Sequence, residues 1–340
     1  MTAPLVSIVI PTLRRPEALA KALASALAQE LGAITAEVVV VDNDPAGSAG
    51  ANIPAKGALP VRYVHAPEPG VANVRNAGVA AASGELIAFL DDDEIAPPGW
   101  LSTLVEAMSR FEADAAFGAV RTLLPERQTA HRAYFERFFA REGPTEARVI
   151  PGAYGCGNSL VRKAALPGSA PFSPARNRSG GEDDLMFAAM KAAGARFAWA
   201  PDAWVWEAPE HSRVSLRYTM LRAFAYGQGP CSAAAAQGGA SRLLIPVLMA
   251  SGAAQAAAFA LVAVGDWLTR SPELPFSVDR AARGVGKVLW FSPFKISFYG
   301  QGARAPRPTS GDRDERHRRL DGGDGESLRP DEPRLPAPAP

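Results

Sequence analysis

Leu86-Ile87-Ala88-Phe89-Leu90-Asp91-Asp92-Asp93-Glu94 sets five apolar residues directly against four acids. The apolar run has the length of a buried strand. The acids therefore fall at its carboxyl end, where ligands gather in open α/β sheets. Adjacent aspartates repel one another unless a cation neutralises them, and hard divalent ions take carboxylate oxygens together with substrate phosphates. A solvated acidic turn is the plain alternative. The strand before the acids, and Pro97-Pro98-Gly99-Trp100 after them, favour a functional cluster.

Working back towards the N-terminus, three more short runs have the same character. Val6-Ser7-Ile8-Val9-Ile10 reads as a buried strand stopped by Pro11, Val38–Val41 as a second ending in Asp42-Asn43-Asp44-Pro45, and Val61–Val64 as a third. Pro16 suits the first position of a helix, and Leu19, Leu23 and Leu27 follow at helical spacing. Strands alternating with helices predict an α/β layer with a mainly parallel sheet. No G-x-G-x-x-G follows the first strand, which disfavours the usual dinucleotide fold.

Residues 121–240 are less regular. His131–Phe139 is basic and aromatic and reads as a helix. Gly155-Cys156-Gly157-Asn158 is a glycine-rich loop before a short strand. Gly180-Gly181-Glu182-Asp183-Asp184 leads into a helix with Leu185, Ala188, Ala189 and Ala192 predicted on its apolar face. Beyond it, Leu243–Val264 is uncharged and long enough to cross a bilayer, though Ala-rich and interrupted by Ser251 and Gln255. Val288–Phe298 is too short to span and reads as a returning arm. From about residue 301 the chain is charged and rich in Pro and Gly, a composition that predicts disorder.

Lys and Arg number 36 against 35 Asp and Glu, a formal charge of +1. That balance excludes a protein whose main partner is nucleic acid, since phosphate neutralisation needs a basic excess. Cys156 and Cys231 stand far apart, so neither a disulfide framework nor a zinc site is indicated. No signal-peptide pattern opens the chain, which predicts a cytosolic first domain.

Taken in order, Val6–Thr12 with Arg14, Val39–Asn43, Gly70-Val71-Ala72-Asn73-Val74-Arg75-Asn76-Ala77-Gly78 and Ala88–Glu94 form a specific set. The set resembles the family 2 glycosyltransferases and covers roughly residues 5 to 230. In tone it is similar to transferases of bacterial exopolysaccharide assembly, including the succinoglycan glucosyltransferase type. The resemblance implies a GT-A nucleotide-binding fold and an inverting, metal-dependent transfer from a nucleotide-sugar, usually a UDP-sugar. It implies a saccharide or lipid-linked acceptor and Mg²⁺ or Mn²⁺ as cofactor.

Carried over residue by residue, the resemblance places Pro11, Thr12 and Arg14 beside the nucleotide base and has Asp42 hydrogen-bond it. Arg75 and Asn76 fall on the helix facing the donor. Asp91 and Asp93 are the outer acids of a D-x-D motif around Asp92, one for the ribose and one, chiefly Asp93, for the metal. Glu182-Asp183-Asp184 matches the second acidic motif, with Asp183 as catalytic base and Asp184 as the alternative. A base must take the acceptor's hydroxyl proton as that oxygen attacks. Acids in a first helical turn are also favoured by the macrodipole, which is the structural alternative. Arg213 and Arg222 resemble cationic positions that stabilise the departing diphosphate, or else the polar face of a helix near a membrane.

The expected organisation is 1–120 for the nucleotide-sugar half, 121–240 for acceptor and base, 241–300 for membrane-associated helices and 301–340 for the tail. Attachment to the cytoplasmic face of the inner membrane follows, by a span, a re-entrant hairpin or an interfacial pair. Two other functions share the acidic pattern. A sugar nucleotidyltransferase would carry a Gly-rich basic loop after the first strand, which Pro11–Arg15 lacks. An inactive nucleotide-sugar-binding scaffold would be free to lose one acidic motif, and both are intact.

Overall fold

The computed structural model describes residues 4–54, 57–177 and 180–296. The tail from 301, and Phe298 with it, lie outside the described residues. The chain divides into two units, Met1–Leu123 with Glu136–Pro209, and Leu124–Phe135 with Glu210–Pro340.

In the first unit the β-branched runs become β1 (Leu5–Thr12), β2 (Thr35–Asp42), β3 (Val61–His65) and β4 (Leu86–Phe89), with α1 (Pro16–Leu27) and α2 (Val71–Ala81) between them. Successive residues of a strand point to opposite faces. Here both faces are covered, so the runs are apolar throughout rather than alternating. Val6, Ile8 and Ile10 pack with Leu19 and Leu23 of α1, while Val9, Val39 and Val41 pack with Val74 of α2 on the other side. The order β3-β2-β1-β4 is parallel throughout. It brings Thr12 and Asp42 level at adjacent strand ends.

The second half reverses direction. β5 (Glu94–Ile95), α3 (Trp100–Arg110), β6 (Ala115–Thr122), α4 (Arg132–Phe139), β7 (Arg148–Ile150), β8 (Ser159–Arg162), α5 (Glu182–Ala192) and β9 (Phe197–Glu207) follow. β8 enters antiparallel between β4 and β6, and β6 lies parallel to β9. The result is a mixed α/β sheet whose first half is the parallel layer predicted from the sequence.

Asn158 fastens this junction. Its Nδ2 donates to the carbonyls of Ala119 (2.7 Å) and Ala203 (2.9 Å), and its Oδ1 accepts from Trp100 Nε1 at 2.7 Å. Asn158, Trp100 and Ala203 are buried, and Ala119 is partly so. Asn158→Ala would leave an indole N–H and two carbonyls unpaired, at a cost of about 3 kcal/mol or more. We expect a clear fall in the urea midpoint with an unchanged slope, and an unchanged midpoint would show that these bonds contribute little.

α5 turns a different face inward from the one its sequence pattern suggests. Leu185 is exposed, as are Ala188, Ala189 and Ala192, whereas Met186, Phe187 and Met190 are buried. Alanines at helical spacing offer little apolar area, so the larger side chains decide which face docks.

The second unit contains α6 (Leu216–Gln237), α7 (Ile245–Leu268) and α8 (Leu274–Val288). The returning helix is thus not Val288–Phe298 but α8, which ends where that segment begins. Gln228 of α6 instead holds the following chain by bonding the carbonyls of Leu289 and Phe294 and the N–H of Ile296. α8 escapes a reading by hydrophobic period because its buried positions are Pro275, Ser277, Asp279, Gly284 and Gly286. Tyr134 of the same unit donates its hydroxyl to Asp279 (3.2 Å), and burial pushes the phenol pKa well up.

Candidate active site

The site is built where β1, β2 and β4 end. Thr12 Oγ1 donates to Asp92 Oδ2 at 2.8 Å, and Arg15 Nη1 bonds both Asp92 Oδ1 (3.1 Å) and Asp93 Oδ2 (2.9 Å). Asp92 is buried, and burial pushes its carboxyl up against the opposing pull of Arg15 and Thr12. Of the three aspartate side chains Asp91 is the most open, at 35 % exposed, against 16 % for Asp93 and 9 % for Asp92. The middle acid therefore latches the turn to β1, Asp93 shares its arginine, and Asp91 is left the most accessible. Arg15, one position beyond Arg14, is a contact that the sequence pattern does not reveal, because it forms only when two distant strand ends meet.

Arg75 connects the two acidic motifs. It leaves α2 buried, donates through Nη1 to Glu182 Oε1 and through Nη2 to Asp91 Oδ1 at 3.3 Å, and lies 5.8 Å from the Phe172 ring centroid. Its Nε has no hydrogen-bond partner among the described residues. Burial raises the Glu182 carboxyl pKa while the Arg75 charge lowers it. Asn76, the next residue, spends both ends of its amide on the Phe172 backbone, at 2.8 and 3.0 Å.

Opposite them stands the loop before β8. Asp183 Oδ2 accepts from the Cys156 N–H at 3.1 Å, and its Oδ1 accepts from the Asp184 N–H at 2.9 Å. A Cβ on Gly157 would stand 2.6 Å from Asp91 Oδ2 and 2.9 Å from Glu94 Oε1, so only glycine lets this loop approach the first acidic motif. Arg141 braces the loop by donating to the carbonyls of Tyr154 (2.5 Å) and Gly157 (2.8 Å), and lies 3.7 Å from Glu94 Oε1. Glu94 is buried, and burial with the nearby Asp91 charge pushes its carboxyl well up. Gly181 takes a left-handed conformation (φ 78°) to start α5, which turns Glu182 inward, leaves Asp183 half-buried and sends Asp184 outward. Asp91, Asp183 and Glu182 are thereby gathered around one guanidinium.

Asp42 is fully enclosed. Its Oδ1 accepts from the Asp44 N–H (2.9 Å), and its Oδ2 accepts from the Ala49 N–H (2.7 Å) and the Tyr63 hydroxyl (3.0 Å). The carboxylate thus folds the loop after β2 upon itself. Arg14, 68 % exposed, pairs with Asp44 from the rim. Pro11 lies within β1 one residue before Thr12. Arg213 and Arg222 belong to the second unit, where Arg213 stands 3.6 Å from Glu210 and Arg222 bonds the Tyr226 hydroxyl at 3.3 Å.

The sequence profile of glycosyl transferase family 2 matches residues 7–166, which carry the strand ends and the Asp91–Asp93 turn. ExoM, a succinoglycan biosynthesis protein of Rhizobium meliloti, is 35% identical over 230 residues, 66% of this chain and 73% of ExoM. The chain belongs to glycosyl transferase family 2. This family 2 glycosyltransferase is also 37% identical over 114 residues to ExoO, another succinoglycan biosynthesis protein of Rhizobium meliloti, covering 33% of this chain and 31% of ExoO. The crystal structure of S. aureus TarS 1–349 is similar at 16% identity and a TM-score of 0.43, over 64% of each chain. Glu182-Asp183-Asp184 lies beyond the profile match, and it is Arg75 that ties it to the matched region.

Among the described residues no three His, Cys, Asp or Glu side chains converge as a ready metal cage. Asp91 and Asp93 offer hard carboxylate oxygens on one turn. That donor set fits Mg²⁺ or Mn²⁺, ions that complete their shell with water and substrate phosphates rather than with protein alone.

Proposed function

We propose that this glycosyltransferase moves a sugar, with inversion, from a UDP-sugar to a saccharide or lipid-linked acceptor in the assembly of a cell-surface polysaccharide. The observation that carries the reading is the Arg75 clamp, which sets the donor-side Asp91 beside the base-bearing start of α5. The likeness to ExoM and ExoO, both succinoglycan biosynthesis proteins, supports the polysaccharide product.

In this reading Asp91 meets the ribose and Asp93, with Asp91 beside it, holds the metal. Bound there, Mg²⁺ or Mn²⁺ would neutralise charge building on the departing diphosphate. Asp183, fixed by the Cys156 N–H, takes the proton of the acceptor hydroxyl as that oxygen forms the new bond to the anomeric carbon and the nucleoside diphosphate leaves. Glu182, paired with Arg75, keeps that aspartate in position. Asp42, with Pro11, Thr12 and Arg14, forms the base side of the donor pocket, and Arg75 and Asn76 fix its floor. Arg213 and Arg222 are assigned to the diphosphate side. Residues 1–120 serve the donor and 121–240 the acceptor and base. Residues 241–300 attach the enzyme to the cytoplasmic face of the membrane, where nucleotide-sugars are made, and 301–340 form the tail.

The test is a panel of nucleotide-sugars with Mn²⁺ or Mg²⁺, scored for thermal stabilisation of the full chain and for donor hydrolysis. One UDP-sugar is expected to stabilise the protein and to be hydrolysed in a metal-dependent way that Asp93→Ala removes. Stabilisation without hydrolysis would point to a binding scaffold, and formation of a nucleotide-sugar from a sugar phosphate to a nucleotidyltransferase. Either result would sink the reading.

A further inference from the structure

α7 has the length and composition of a membrane span: Gly239–Leu268 is apolar enough to cross, and only 6 % of its most apolar window is buried. At 24 residues α7 is about 36 Å long, enough for the hydrocarbon core. What it packs against decides otherwise. α8 runs back along α7 at backbone contact: a Cβ on Gly252 would stand 2.8 Å from the Gly284 carbonyl, and one on Gly284 would stand 2.6 Å from the Ala256 nitrogen.

The residues α8 brings to this contact are charged. Arg280 lies 5.0 Å from the Phe259 ring centroid and its carbonyl accepts from Gln255 Nε2 at 2.7 Å, while Lys287 Nζ donates to Gln255 Oε1 at 2.9 Å. Gln255, Ala256 and Phe259 are the middle of α7. A bilayer-spanning α7 would therefore carry Lys287, held by Gln255, together with the Asp279–Arg283 pair (2.6 Å) and Arg280 to the depth of the hydrocarbon core. An alanine-rich stretch does not offset that cost.

The outer face of α7 has a different chemistry. Val247, Leu261, Val264, Trp267 and Leu268 are all exposed, as is Leu243 just before α7, and the charge that α7 carries, Asp266, turns away to bond Ser277 of α8. Exposed Arg242 and Arg270 stand at its two ends. Pairing with a second copy sets arginine against arginine in either direction, and the middle of the face is alanine, without the aromatic anchors that protein interfaces concentrate at their centres. Arginines at both ends, an exposed tryptophan and cations on the flanking helix suit an anionic headgroup surface.

We propose that α7 lies flat in the headgroup region of one leaflet, its Leu243–Leu268 face in the acyl boundary and α8 on the water side, and does not cross the membrane. The inference rests on the membrane attachment in the proposed function but not on its transfer chemistry. Purified full-length chain should float with vesicles of phosphatidylcholine and phosphatidylglycerol, and bind less to phosphatidylcholine alone. Alkaline carbonate should strip it from membranes of expressing bacteria, and a C-terminal tag should resist protease added outside spheroplasts. Val247→Glu with Leu261→Glu, both at exposed positions, should lower vesicle binding by roughly an order of magnitude or more. Arg242→Glu with Arg270→Glu should lower the preference for anionic vesicles by a similar factor. Retention through carbonate with cleavage of the tag from outside would overturn the flat orientation. Failure to bind either vesicle, with or without dimerisation through α7, would overturn membrane attachment altogether. Neither failure would touch donor hydrolysis, which tests the chemistry separately.

Discussion

Replacing Asp183 by asparagine is expected to reduce turnover by about 10²–10⁴-fold, the range assigned to a positioned general base, while leaving nucleoside diphosphate binding close to that of the unaltered protein. Asparagine fills the same volume, and its one side-chain oxygen keeps the bond from the Cys156 N–H that holds the loop before β8, while the exposed Asp184 N–H turns to water. It cannot take a proton from the acceptor. Asp93→Ala should lose both turnover and metal-dependent binding, because the proposed reading has those oxygens hold the metal. A kcat loss with an unchanged Kd and a loss in both quantities are distinct signatures. Calorimetric titration of UDP with Mn²⁺ reads the difference. If Asp183→Asn loses UDP affinity as severely as Asp93→Ala, Asp183 is not the base.

The second large effect concerns Arg75. Arg75→Met keeps the length and apolar stem of the side chain but leaves Glu182, 5 % exposed, buried without its cation. Breaking a buried pair from one side costs about 3–5 kcal/mol, far more than the pair's net contribution, because the remaining charge is uncompensated. We expect a correspondingly lower midpoint in urea. Adding Glu182→Gln to Arg75→Met should recover a large part of the loss, since the stranded charge is gone. It should not restore transfer, because nothing would then hold Asp91 to the start of α5. Full stability in Arg75→Met alone would show that the clamp is not formed in solution.

Much of this was legible in the residues. Continuous β-branched runs ending in polar turns announce buried parallel strands, and Pro16 opens α1 where its spacing places it. Asp91–Asp93 directly after Phe89 and Leu90 could only lie at a strand's carboxyl end. Patterns failed where packing used residues that carry no hydrophobic period. α5 docks through Met186, Phe187 and Met190 rather than its alanines, and α8 docks through glycine, serine and a buried aspartate.

The sequence by itself determined the sheet's parallel half, the placing of acids at strand ends and the family, because each is written in short contiguous segments. The tertiary structure alone decided that Arg15 sits on Asp92 and Asp93, that Arg75 reaches from Asp91 to Glu182, and that Arg141 braces the Gly155–Gly157 loop. It likewise decided that cations of α8 lie against the centre of α7. These contacts join residues far apart along the chain. Their energy depends on burial and on the distance between charges, and neither is defined until the chain has folded.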